Sequence, residues 1–177
     1  MCRYEERSVM LEFRYTVGIT APDHGEGPPR LEGVVVRYSD LSRHGRMQER
    51  FRPGSLEFLD GLIVNLQHDR RRPLARHPNT VRLLDSPTEL RAEIDLPDTS
   101  DGRDCLELVK RGVLTGLSME FEVKEQRFHA GIRNVRKAVL HGIGVVDRPS
   151  DGQSIVSIAE RAMAGDYPHF ARKRYWL

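Results

Sequence analysis

The sequence has little of what marks secreted, metal-binding or membrane-spanning proteins. Its only cysteines, Cys2 and Cys105, are spaced neither as a disulfide framework nor as a zinc site. No apolar run approaches the roughly 20 residues that a membrane-spanning helix needs, and no signal-peptide core follows the charged start of the chain. We therefore expect a cytosolic, unexported protein without a membrane anchor, and we expect neither a metal nor a cofactor.

A strong excess of one charge is also missing. The chain has 28 basic and 26 acidic residues, a net charge of +2, so no global field directs it to nucleic acid or to a membrane. Aromatic residues are few, at six Phe, five Tyr and one Trp, and few lie near the basic run 70–72. Because single-strand binding combines basic grooves with stacking aromatics, a nucleic-acid-binding barrel ranks last among the functions considered.

The length of 177 residues fits one domain, which we place at residues 1–160, followed by a basic aromatic tail at 161–177. Strands are predicted at 11–17, 31–38, 62–68, 81–84, 89–96, 113–123, 132–146 and 155–158, and helical segments at 56–59 and 99–111. The charged run 69–73, which contains a proline, is expected to end the strand before it. The pattern indicates a mainly β (α+β) fold with a few helices, arranged as a barrel or a partly closed sheet.

Three polar residues interrupt otherwise apolar predicted strands: His68, Ser118 and His141. Each has a simple structural explanation. Ser118 shares a strand face with Glu120 and Glu122, which favours solvent exposure, and a lone histidine at the edge of a core is usually a hydrogen-bonded structural residue. Together, however, a hydroxyl and two imidazoles are the groups that a serine nucleophile system needs.

Four motifs follow one another in a specific order. They are Arg52–Leu56 (RPGSL), Val64–Asp69 (VNLQHD) with a proline at 73, Gly112–Phe121 (GVLTGLSMEF) and Val139–Pro149 (VLHGIGVVDRP). The ordered set resembles the caudovirus prohead protease family, the capsid maturation proteases of HK97-like tailed phages, over about residues 31–158. The resemblance implies a serine endopeptidase whose fold is related to the herpesvirus maturation protease, a small β-barrel flanked by helices.

The resemblance also implies residue roles. It makes Ser118 the nucleophile and His68 the base, and it places His141 where many relatives carry a glutamate. Since herpesvirus proteases use a Ser-His-His set, His141 is expected to orient His68, with Asp69 and Asp147 as fallback third members. A neutral imidazole stabilises an imidazolium less than a carboxylate does, which predicts a slower enzyme.

The implied substrates are the scaffold-like region of the major capsid protein and the protease itself, inside the assembling procapsid in the host cytoplasm. Whether the protein forms a homodimer stays an open question. The tail from Arg172 is either a capsid-docking element or a solvated terminus. Backbone amides are expected to hold the oxyanion, with Arg148 or Arg133 as candidate helpers. The alternative function is a catalytically drifted assembly factor with the same fold, suggested by His141 and by Ala75, which stands where the family has a glycine.

Overall fold

The computed structural model describes residues 9–21, 27–44, 47–147 and 157–160, which contain eleven strands and one helix. The strands are β1 (Val9–Val17), β2 (Arg30–Arg37), β3 (Ser42–His44), β4 (Met47–Phe51), β5 (Leu56–Leu66), β6 (Asp69–Arg76), β7 (Val81–Asp85), β8 (Glu89–Asp95), β9 (Gly116–His129), β10 (Ile132–Val146) and β11 (Ser157–Glu160), and the helix is α1 (Ser100–Lys110). The mainly β, α+β class predicted from the sequence is confirmed.

The strands form two sheets. The larger sheet has the order β11-β1-β9-β10-β4-β3, with β5 pairing β10 and β6 pairing β5, and the smaller sheet has the order β2-β8-β7. Strand β10 organises the larger sheet, because it pairs β9 antiparallel along its length and pairs β4 and then β5 in parallel on its other side. No closed barrel forms among the described strands, so the barrel flanked by helices is replaced there by two sheets and one helix.

The hydrophobic core connects the two sheets and the helix. Strand β2 packs so closely on β9 that a Cβ at Gly33 would lie 2.9 Å from Leu117 Cδ1. Burial is complete for residues of both sheets and of α1, including Leu31, Val35, Leu90, Ile94, Leu117, Met119, Phe121, Ile143 and Cys105. Each fully buried Leu or Ile side chain contributes about 1.5–3 kcal/mol to the free energy of unfolding, so this core is the main source of stability.

Strand β1 is covered on both faces, although its alternating pattern is typical of a strand with one wet face. Phe13 and Tyr15 lie on the face that carries the polar residues of β9, while Glu12 and Arg14 lie on the other face and are buried. The buried charges are compensated by β4 and β10: Arg14 pairs with Glu49, and Arg133 binds both Glu12 and Glu49. Burial lowers the pKa of Arg14 to about 10, so its guanidinium stays protonated at neutral pH.

The helix predicted at 99–111 is confirmed as α1, and local signals explain its bounds. Thr99 caps α1 by accepting a 3.2 Å hydrogen bond from the Gly102 N–H, and Gly112, at φ 70°, follows its end. The predicted helical turns at 56–59 are wrong, because these residues begin β5 and pair with β10 instead. The preceding strand does end before 69–73, as predicted, because β5 stops at Leu66, but residues 69–76 then form a new antiparallel strand, β6, that was not predicted.

Proline is tolerated in β6 because Pro73 lies at an irregularity of the β5–β6 register, where a backbone donor is not needed. Residues 42–44 form β3, where the sequence predicts no strand, and residues 45 and 46 lie outside the described part. Of the predicted strand 155–158, residues 157 and 158 belong to β11. The tail at 161–177 lies outside the described residues, and no helix in the described ranges is long and apolar enough to cross a membrane.

Arg133→Met is expected to lower the free energy of unfolding by about 3–5 kcal/mol, because it leaves the buried carboxylates of Glu12 and Glu49 with one guanidinium between them. Urea denaturation followed by circular dichroism measures the change. Arg82→Met is the control: its side chain, which pairs with Glu93 and Asp95, is nearly half exposed, so a much smaller loss than in Arg133→Met is expected. Equal losses in the two variants would show that the buried network does not stabilise the fold.

Candidate active site

His68 lies in the two-residue turn that joins β5 to β6. Gln67 and His68 both have positive φ angles, 53° and 57°. Two-residue hairpin turns of this type require positive φ angles, but residues other than Gly and Asn disfavour them. The turn is fixed to the end of β10, because the Gln67 N–H donates to Val145 O at 3.0 Å and Gln67 Nε2 donates to Asp147 Oδ1 at 3.1 Å. These bonds hold the imidazole over the larger sheet.

Three neighbours determine the orientation of the His68 ring. Nδ1 lies 2.7 Å from Glu120 Oε1, and the ring of Phe13 packs edge-on with 4.7 Å between centroids. A Cβ built on Gly144 would lie 2.8–2.9 Å from three ring atoms, so the ring can lie against β10 only because residue 144 is glycine. The carboxylate fixes the tautomer in which Nδ1 carries the proton and Nε2 carries the lone pair.

Ser118 is near the start of β9, opposite Tyr15 of β1 on one side and Gly144 of β10 on the other. It is 6% exposed, so the expectation of a solvent-exposed serine is wrong. Residues directly opposite each other in a sheet have Cβ positions about 4.5–5.5 Å apart. Since the His68 ring covers the position that a Gly144 side chain would occupy, Ser118 lies beside that ring.

The second ring nitrogen of His68 makes no hydrogen bond within the described part of the chain. Nε2 is buried and has no partner among the described residues, so it is not bonded to Ser118 Oγ in this arrangement. A buried polar atom without a partner costs about 1–3 kcal/mol, and such atoms are retained where they have a function. A serine opposite the glycine that the ring covers, a ring nitrogen with a free lone pair and a carboxylate on the other ring nitrogen together have the composition of a nucleophile, a base and an orienting acid.

Glu120 supplies the carboxylate from the same strand as Ser118, two residues along and therefore on the same face. Its partner across the sheet is Gly142, where a Cβ would lie 3.2 Å from Glu120 Oε2. The Glu120 side chain is 5% exposed. An Nη atom of Arg70 lies 3.9 Å from Glu120 Oε2. The missing side chain at Gly142 leaves room for the carboxylate to reach His68.

The structure does not bring His141 to the His68 ring. His141 lies at the bulge where the β9–β10 register shifts, which makes Gly142 rather than His141 the residue opposite Glu120. Its side chain is one-third exposed, and its Nε2 lies 3.5 Å from Glu122 Oε2. In the geometry described, the group that orients His68 is Glu120.

The two fallback carboxylates are also engaged elsewhere. Asp69 binds the backbone and side chain of Arg71, and these hydrogen bonds lower the pKa of its carboxyl group. Asp147 accepts from Gln67 and so positions the turn rather than the ring. The candidate oxyanion helper Arg133 is buried in the ion network of Glu12 and Glu49, and Arg148 lies outside the described residues.

Other site chemistries find little support in the described ranges. Burial raises the pKa of the Cys105 thiol to about 12, so this cysteine is an inert core residue rather than a nucleophile. No group of three or more His, Cys, Asp or Glu side chains among the described residues is placed to hold a metal ion. Cys2 is not among those residues.

Sequence reasoning missed Glu120, Gly142 and Gly144. The sequence pattern places Glu120 on a solvated strand face, because its burial depends on a hairpin turn that is distant in sequence. The available signal is the two-residue spacing from Ser118, which places a carboxylate beside that serine on one face of β9. The glycines give no signal of their own, since their contacts come from β5, from β9 and from the turn at His68.

Known proteins were compared with the chain at three levels. The model of the family described as caudovirus prohead serine protease matches residues 16–166, a range that includes His68, Ser118 and Glu120. The comparison with curated proteins and the comparison with solved structures each gave no significant match. Because the family match covers most of the sequence, the chain belongs to the caudovirus prohead serine proteases, a family of serine peptidases that act in capsid maturation.

Proposed function

We propose that this chain is a serine endopeptidase that cleaves the scaffold-like region of the major capsid protein inside the assembling procapsid, and that it also cleaves itself. Family membership supports a serine peptidase of capsid maturation. The observation that carries the proposal is the 2.7 Å contact between His68 Nδ1 and Glu120 Oε1, which leaves Nε2 as the unbonded ring nitrogen next to Ser118.

In the proposed mechanism Ser118 Oγ attacks the scissile carbonyl carbon while His68 Nε2 takes the hydroxyl proton. The tetrahedral intermediate collapses to an acyl-enzyme when His68 returns this proton to the leaving amine. Water, activated by His68 in the same way, then attacks the ester and releases the new carboxyl end. Small closing movements of the serine hydroxyl toward Nε2 are expected on substrate binding, since catalytic hydrogen bonds often tighten only in the complex.

Glu120 takes the orienting role in this proposal. As His68 becomes an imidazolium, the buried carboxylate 2.7 Å from Nδ1 stabilises the new positive charge, and a neutral imidazole would do so less well. His141, bound to Glu122 at the bulge, is not required for this step. The slower enzyme expected from a Ser-His-His set is therefore not part of the proposal.

A catalytically drifted assembly factor is the competing function. It was suggested by His141 and by Ala75, the residue that replaces a family glycine. Glu120 supplies a carboxylate despite the histidine at 141, and Ala75 is a buried residue of β6 paired with Val64. Both departures are thus compatible with an active enzyme, and the reactivity of Ser118 distinguishes the two functions.

Ser118→Ala is expected to abolish covalent labelling by a fluorophosphonate and to abolish processing of a co-expressed capsid precursor, because it removes the nucleophile. In-gel fluorescence and the mass of the capsid protein measure the two effects. Ser55→Ala is the matched control, since Ser55 is also a buried serine, at 2% exposure, and lies in the turn before β5. Full processing by Ser118→Ala would end the assignment, and absent labelling of the wild type with normal capsid assembly would favour the assembly factor.

Glu120→Ala is expected to lower the second-order rate constant of fluorophosphonate labelling by about 10²–10⁴, because the base loses the group that fixes its tautomer and stabilises its charge. His141→Ala, measured in the same way, is expected to change it less than about threefold, as its side chain contacts Glu122 instead. A large loss in His141→Ala with a normal rate in Glu120→Ala would return the third role to His141.

Gly144→Ala is expected to reduce labelling by about 10² or more while the protein stays folded, since the new methyl group would occupy the place of the His68 ring. Gly142→Ala is the graded comparison: its Cβ would lie 3.2 Å from the flexible end of Glu120, which can shift by a few tenths of an ångström. Thermal unfolding verifies that both variants fold. Equal rates for Gly144→Ala and the wild type would mean that the ring does not act from this position.

A further inference from the structure

We propose that a basic pocket at the far end of β9 and β10 binds an acidic segment of a protein substrate. Its wall contains four arginines together with Phe128 and Asn134, and it encloses a volume of about 330 Å³. The arginines are Arg50, Arg52, Arg127 and Arg136. The proposal deepens the proposed function, because it gives the protease a second contact with its substrate away from Ser118.

The pocket is built on a row of three strands. Asn134 of β10 is opposite Arg127 of β9 on one side and opposite Arg50 of β4 on the other, so the three side chains lie on one face. Arg50 Nε donates to Asn134 Oδ1 at 2.7 Å, and the buried Asn134 donates from Nδ2 to Ile132 O at 3.1 Å. These bonds fix the direction of the Arg50 side chain while its two terminal Nη groups stay available for a ligand.

The charges of the pocket are mostly uncompensated. Arg52 and Arg127 are exposed and form no ion pair with any described carboxylate. Arg136 does form an ion pair: one of its Nη atoms lies 3.1 Å from Glu125 Oε1, and the Glu125 side chain is about half exposed. One arginine of the pocket is therefore already paired with a carboxylate, that of Glu125. The other three guanidinium groups are presented to a ligand that carries several carboxylates.

A carboxylate-rich peptide fits these features better than a nucleic acid does. Guanidinium groups bind carboxylates with two parallel hydrogen bonds, and a peptide can insert individual acidic side chains into a concave site. Single-stranded nucleic acid instead needs a basic track with successive stacking aromatics, whereas the described wall of the pocket has two exposed rings, those of Phe128 and its neighbour His129, at one point of the strand.

The position of the pocket determines how such a substrate would lie. Arg127 follows Ser118 by nine positions on the same strand, which corresponds to about 30 Å at roughly 3.3 Å per residue. An extended peptide with its scissile bond at Ser118 would reach the pocket about nine residues away. The acidic segment is thus expected to be separated from the cleavage site by about that length of chain.

Fluorescence anisotropy of a labelled decaglutamate peptide tests the proposal on the full chain. We expect saturable binding that weakens with added NaCl, and a dissociation constant raised about five- to tenfold in the double variant Arg52→Gln/Arg127→Gln. The control with the same change of net charge is Arg103→Gln/Arg111→Gln, two exposed arginines of the helical region, for which less than a twofold change is expected.

A second variant raises affinity and so does not depend on a loss that misfolding could mimic. Glu125→Gln releases Arg136 and is expected to tighten decaglutamate binding about two- to threefold, while Glu107→Gln, an exposed acid of α1, is expected to leave it unchanged. Absence of saturable binding, equal effects in variant and control, or tighter binding of a ten-nucleotide oligothymidylate than of decaglutamate would each overturn the proposal. Binding is measured without catalysis, so its failure is distinguishable from a failure of Ser118 to react with a fluorophosphonate.

Discussion

The register of β9 against β10 is the constraint on which the rest of the structure depends. It places Ser118 opposite Gly144 and Glu120 opposite Gly142, so the two side chains of the proposed catalytic set on β9 face two positions without side chains. A shift by one residue would turn Ser118 and Glu120 toward the core and would bring Leu117 and Met119 to the surface. The buried face of β9, with Leu117, Met119 and Phe121 at full burial, therefore fixes the chemistry of the opposite face.

The same sheet is held by charge on its buried side. Strand β1 contributes Phe13 to the side of His68 and contributes Glu12 and Arg14 to the network with Glu49 and Arg133 on the opposite side. A buried network of this kind adds little net stability compared with apolar packing, but it is costly to break. We infer that it secures the position of β1, and with it the aromatic wall of the site, more than it strengthens the fold.

The limits of sequence-based prediction follow the range of the interactions. Helix α1 and the strands β9 and β10 could be predicted because a cap, a terminal glycine and turn residues act within a few positions. The turn at His68 was missed because its positive φ angles belong to Gln67 and His68, residues that do not favour them, and it is held by Val145 and Asp147. Glu120 was missed for a related reason, since the burial of its face depends on a ring supplied from a distant part of the chain.

The pairing of Ser118 and Glu120 with two glycines also has a consequence for how the sequence can vary among relatives. The proposed nucleophile and orienting acid form a Ser-x-Glu unit on one strand, and the surface that they face is a Gly-x-Gly unit on its neighbour. A change in one unit affects the other: a side chain at 144 would displace the His68 ring, a side chain at 142 would push on Glu120, and an acid lost from β9 would leave its space unfilled. Substitutions in the two short units are accordingly expected to be correlated among relatives. The two units together can therefore be searched for in other sequences whose structures are not known.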